Sequence, residues 1–158
     1  MDALTILFYG NKTFLAALEG LKHDHWLTGG VCGVWSVKDI VAHMACYELL
    51  IGDVLGTFTG AAEHPMLDRK AAMGEAWNDA TVAERRHLTA QAALDEYLAA
   101  YAQKMARAEA VGAAKLAEVG TIPWYGEKYA LDDYLVYTDY GHKREHAAQI
   151  MVFRDTLK

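Results

Sequence analysis

Apolar residues recur along this chain at spacings of three and four, the period of an α-helix with one buried face. Leu4, Leu7, Phe8, Phe14, Leu15 and Leu18 define a first helix over roughly 2–20. Asn11 shares that face, either as a satisfied core amide or as a polar group turned into a site. A second helix opens at Trp35-Ser36-Val37-Lys38-Asp39, where Ser36 suits an N-cap and Asp39 completes a capping box with a short acid. Its stripe is Val37, Ile40, Val41, Met44, Ile51 and Leu55. At about 100° per residue, Glu48 falls inside that stripe and His43 on its flank, beside Ile40, Tyr47 and Leu50. Thr89 caps a third helix that carries Leu94, Tyr97, Leu98, Tyr101, Met105 and Ala108. A fourth begins near Ala130 and runs almost to the end.

The connections are unequal. A loop with HDH and GGVCG joins the first two helices. HPMLDRK reads as a loop and residues 68–85 as a short extra helix between the second and third. GTIPWYGEKY breaks the pattern before the fourth. No repeat or low-complexity tract divides the chain, so residues 1–158 read as one domain. The expected fold is all-α, a four-helix bundle.

Composition agrees. The chain has 158 residues, enough for a proper core, and its two prolines seldom interrupt helices. A formal charge of −6 without a Lys/Arg cluster argues against nucleic acid and anionic membranes as partners. The first twenty residues lack the basic start and unbroken apolar run of a signal peptide. No segment approaches the roughly 20 apolar residues that span a bilayer. Cys32 and Cys46 have no CxxC partner and read as reduced thiols in a cytoplasmic protein. Cys46 projects opposite the second helix's apolar stripe and Cys32 sits in a Gly-rich loop, so neither reads as a nucleophile. Off-stripe apolar residues such as Ile6 and Ala45 allow a homodimer.

The chemical signal lies on the fourth helix. With Leu131 at zero, Leu135 and Phe153 fall at about 40°, His142 at about 20°, His146 at about 60° and Gln149 at zero. The inward stripe is apolar at both ends and polar in the middle. Unpaired buried imidazoles cost about 1–3 kcal/mol each, so a fold keeps them where they are hydrogen-bonded or coordinate something. His-x-x-x-His places two imidazoles one turn apart, where both can reach one ion. His43 would be a third ligand from a facing helix. The remaining histidines, His23, His25, His64 and His87, read as surface groups. Glu48 and Glu145 read first as salt-bridged or solvated carboxylates, and second as a fourth ligand or a catalytic or orienting group.

WSVKDIVAHMACYE at 35–48 and YGHKREHAAQI at 140–150 resemble the DinB/YfiT-like metalloenzyme superfamily. AWNDATVAERRHLTAQAALDEYLAAY is similar to its DfsB/ClbS-type branch. The resemblance covers roughly 30–155. It implies a four-helix bundle of DinB/YfiT type, with one divalent ion (zinc, nickel, iron or manganese) on His43, His142 and His146. His43 owes its place in this set more to the resemblance than to its position at the stripe's edge.

Three neutral imidazoles would leave such an ion its full charge and an open position, as in catalytic rather than structural sites. The expected function is therefore a metal-dependent enzyme that activates water or a low-molecular-weight thiol for attack on a small electrophile. A hydrolase and a thiol transferase both fit. The alternative is a non-catalytic protein of ClbS type that sequesters a toxic small molecule. The superfamily's name comes from DNA-damage induction, which suggests a stress-response setting. Tyr47, Trp77, Asn78, Trp124 and Tyr125 are candidates for the substrate pocket, with ordinary packing as the plainer reading.

Overall fold

The computed structural model describes residues 2–158, and among these the fold is all-helical, without a β-strand. Helix α1 spans Ala3–Leu18 and α2 His23–Leu27. α3 covers Val37–Gly56, α4 Pro65–Met73, α5 Ala76–Glu84, α6 Ala90–Val111 and α7 Ala113–Leu116. The last long rod comprises α8 (Leu131–Leu135), a π-helical segment (Val136–Gly141) and α9 (His142–Asp155). α3 packs chiefly on α6, and α1 on α9 and the π segment. Among the described residues, no helix is long and apolar enough to cross a membrane.

The helix starts follow side-chain chemistry. Ser36 Oγ accepts from Asp39 N, while Ser36 N donates to Asp39 Oδ2 at 2.9 Å, so the capping box forms as expected. Thr89 Oγ1 accepts from Ala92 N to open α6. Asp2 caps α1 through Thr5 N. Three segments read as loops or as one helix are organised differently. HDH opens the short helix α2, with His25 Nδ1 accepting from Lys22 N. HPMLDRK is mostly helix, because Pro65 fits a first helical turn and buried Asp53 accepts from Met66 N and Leu67 N. Gly74, at φ 59°, then divides the expected 68–85 helix into α4 and α5.

α3 is buried nearly all round, because α4 and α5 cover the side that α6 leaves free. Cys46 therefore lies in the core with Leu50 and Trp77, not on an open face. Ala45 is likewise fully buried and cannot serve a dimer contact. Phe8, expected inside, is 51% exposed, and Leu98 is 39% exposed. Of the stripe expected on α6, Tyr97 and Ala108 are buried, and Ala93, Ala100 and Lys104 complete the buried face. Asn11 is a satisfied amide whose Oδ1 accepts from Tyr97 OH at 2.7 Å.

Two apolar clusters make up most of the core. One gathers Phe14, Ile40, Met44, Tyr97, Ala147 and Ile150; the other Leu7, Ile51, Leu55, Ala108, Leu131 and Leu135. Between them, at matching levels on α3, α6 and the last rod, lie Glu48, Lys104, Asp139 and Lys143, all at most 1% exposed. Lys104 Nζ and Lys143 Nζ each approach Glu48 at 2.6 Å. Asp139 pairs with Lys143 at 3.0 Å and also with Lys104. Two positive and two negative side chains thus form a closed charged layer.

Candidate metal centre

His43 and Tyr47 stand one turn apart on α3, and His142 and His146 one turn apart on α9. The fold brings the three histidines together: His142 Nε2 lies 3.1 Å from His43 Nε2 and 3.0 Å from His146 Nε2. One nitrogen from each ring falls in a group whose members are all within 4.8 Å of one another. His23, His25, His64 and His87 do not join it.

The rings are held from behind. His146 Nδ1 lies 2.8 Å from Gln149 Oε1; with the proton on Nδ1, the Nε2 lone pair points at the other histidines. Trp35 and Tyr47 pack on the His43 ring at centroid distances of 4.8 Å. Tyr47 also meets the His142 ring at 4.4 Å. Burial, then the neighbouring imidazoles, pulls the His43 pKa down to about 2. The same causes pull His142 to about 3. Burial also lowers His146, with Gln149 opposing. All three rings are therefore neutral at physiological pH.

With the protons on Nδ1, as Gln149 favours for His146, the Nε2 lone pairs of the three neutral rings would converge, an arrangement that suits a cation. Nitrogens bound to one tetrahedral first-row ion at about 2.0–2.1 Å sit about 3.3 Å apart, close to the two spacings from His142. The donor set therefore fits a divalent ion, and the three histidines could hold one.

A cavity of about 440 Å³ opens beside His142, lined also by Tyr47, Tyr137, Thr138, Gly141 and Glu145. That is within the range of small-molecule pockets. Burial raises the Tyr47 pKa, so its phenol stays protonated and can donate. Trp77 and Asn78 stand behind Tyr47, with Trp77 packing on its ring at 5.3 Å and Asn78 Oδ1 accepting weakly from its hydroxyl at 3.5 Å. Trp124 and Tyr125 pack on Tyr134, each at 5.3 Å, and are not among the cavity walls. Glu48 is turned away into the charged layer, whereas the exposed Glu145 stands in the cavity wall. Tyr137 and Gly141 were not singled out in the sequence, because the π segment that holds them, together with Thr138, is announced by no periodicity. Burial raises the thiol pKa of both Cys32 and Cys46.

Residues 10–130 match a family model described as the mycothiol maleylpyruvate isomerase N-terminal domain. The matched segment contains His43 and stops before His142 and His146. No curated protein and no solved structure matches the chain.

Proposed function

This chain belongs to the mycothiol maleylpyruvate isomerase N-terminal domain family, within the DinB/YfiT-like superfamily, and we propose that it is a metal-dependent enzyme acting on a small electrophile. The observation that carries this reading is the convergence of His43, His142 and His146 nitrogens at the edge of a cavity of small-molecule size. We read residues 1–158 as one four-helix bundle of DinB/YfiT type, formed by α1, α3, α6 and the last rod, with α4 and α5 in the 2–3 connection.

In this reading His43, His142 and His146 hold one first-row divalent ion through Nε2. Such an ion supplies Lewis-acid chemistry that lowers the pKa of a water or thiol nucleophile towards neutrality. The chain's own groups do the rest. Gln149 keeps the proton of His146 on Nδ1. Tyr47 offers a hydroxyl donor to the substrate, and Thr138 and Tyr137 add hydroxyls to the wall. Glu145 is the one carboxylate in that wall and is placed to accept a proton or orient a donor.

Both thiol pKa values are raised and Cys46 is buried, so neither cysteine is a suitable nucleophile. A thiol nucleophile would therefore be a low-molecular-weight co-substrate, in keeping with a family named for mycothiol. Thiol S-transfer and hydrolysis are the two reaction types that fit. The formal charge of −6 disfavours a nucleic-acid partner, and a cytoplasmic setting suits two unpaired cysteines.

Elemental analysis of purified protein beside His142→Ala tests the reading. About one zinc, nickel, iron or manganese per chain, lost in the variant, is expected. Less than about 0.1 ion per chain after reconstitution with each would sink it. The aromatic walls at Tyr47 and Tyr137 favour one second reading, a ClbS-type protein that sequesters a small molecule. Stoichiometric binding that survives chelation, without turnover, distinguishes it from the enzyme.

A further inference from the structure

The charged layer of Glu48, Lys104, Asp139 and Lys143 has no part in the chemistry above, yet it touches the metal centre through the chain itself. Lys143 follows His142 directly, Asp139 precedes it by three, and Glu48 lies five positions beyond His43. Asp139 belongs to the π segment. Its Oδ1 and Oδ2 accept from Lys143 Nζ at 3.0 and 3.1 Å, and Lys104 donates to Oδ2. Lys143 Nζ also stands over Tyr97 and Tyr101, at 5.8 and 5.2 Å from the ring centroids.

The π segment changes which residues of the last rod face inward. A π turn carries one extra residue, so everything after it is turned back by about 100° relative to a continuous α-helix. On an uninterrupted helix with Leu131 at zero, Lys143 would stand at about 120° and Ile150 at about 100°, off the inward face. The insertion brings them to about 20° and about zero, in agreement with their complete burial. His142 moves from the middle of the inward face to its flank, at about −80°, where it is half-buried and lines the cavity. Its approach to His43 thus depends on an irregular turn, and Asp139 is the residue of that turn locked to α6 and α9.

The first helix is shaped to the same turn. A Cβ on Gly10 would meet Tyr140 Cδ2 at 3.2 Å and Asp139 Oδ1 at 3.6 Å, so glycine lets α1 close over the π segment at the level of the charges. Buried ion pairs are seldom more stable than apolar packing of similar volume, and their best-attested use is to fix register.

We propose that Asp139, with Lys104, Lys143 and Glu48, is a positioning residue for the metal centre: the charged layer holds the π turn and so sets the rotation at which α9 presents His142 to His43. This inference rests on the reading of the three histidines as metal ligands.

The test compares Co(II) binding and its visible spectrum in wild-type protein, Asp139→Asn and the charge-balanced Asp139→Asn/Lys104→Met, each checked for helix content by circular dichroism. Asp139→Asn is expected to stay helical, to bind Co(II) at least about tenfold more weakly, and to show a changed band envelope as His142 shifts. A folded variant with wild-type affinity and spectrum, and only a lower melting temperature, overturns the proposal: the layer is then structural alone. If Asp139→Asn does not fold, the balanced pair takes its place, with the same two outcomes. Wild-type protein that binds no Co(II) overturns the metal reading and this inference together, so the two failures are told apart.

Discussion

Nε2 of His43 and Nε2 of His142 lie 3.1 Å apart although ninety-nine positions separate the two residues. Neither ring holds an extra proton at neutral pH, since burial depresses both pKa values. Two neutral imidazoles can meet this closely when one Nε2–H donates to the other Nε2, or when both lone pairs turn to a cation between them.

The same depression gives the metal-free protein a characteristic acid response. The folded pKa values, about 2 for His43 and about 3 for His142, lie below the unfolded value near 6.5. Above that value both states are neutral and the histidines contribute no pH dependence. Below it the unfolded chain takes up protons that the native state refuses, so stability is lost as pH falls from about 6.5 towards the folded values. Each such proton contributes up to about 1.4 kcal/mol per pH unit. Urea midpoints of metal-free protein should fall between about pH 7 and about pH 5, and fall less in His43→Leu/His142→Leu. Equal slopes in the two proteins would contradict it.

Gln149 should matter although it does not point into the triad. Its Oε1 fixes the His146 tautomer at 2.8 Å. Gln149→Ala is expected to lower metal affinity about 10–100-fold with little change in melting temperature. Competition against a chelator of known affinity measures this, and an unchanged constant would remove Gln149 from the centre.

Breaking the charged layer should cost far more than balancing it. Lys104→Met leaves Glu48 and Asp139 sharing Lys143 alone, in a fully buried place. Removing one partner of a buried pair typically costs about 3–5 kcal/mol. Adding Glu48→Gln removes one charge of the opposite sign and should recover much of that loss in a denaturant titration. Additive losses would show that the four groups do not act as a unit.

Ser36→Ala offers a contrast remote from the chemistry. It deletes the cap on Asp39 N and is expected to cost about 1 kcal/mol of stability. Metal stoichiometry should stay unchanged, since the cap orients the start of α3 and touches no histidine. Thermal unfolding with parallel elemental analysis checks both halves.

Much of this protein was legible in its residues. Helical spacing announced the long helices, and Ser36 and Thr89 marked starts that their side chains do cap. These are local matters, settled by propensity and by hydrogen bonds within four residues. The His142–His146 pair was legible for the same reason, as was its ability to share one ion. His43 became a candidate only with help from the family resemblance, because its convergence with α9 depends on how α3 and the last rod pack.

What the sequence could not decide is bound up with the π segment. A period of 3.6 residues assumes that no residue is added, and one extra residue turns the rest of the rod by about 100°. The ideal reading therefore placed His142 at the centre of the inward face, where the structure has Lys143, and it missed Asp139 altogether. Lys104 was hidden for another reason: a lysine on a stripe looks like a solvated edge until partners from other helices close over it. Local chemistry along the chain determined the helices and the His pair; the rotation of one rod against another, set by long-range ion pairs and an irregular turn, decided which histidines meet.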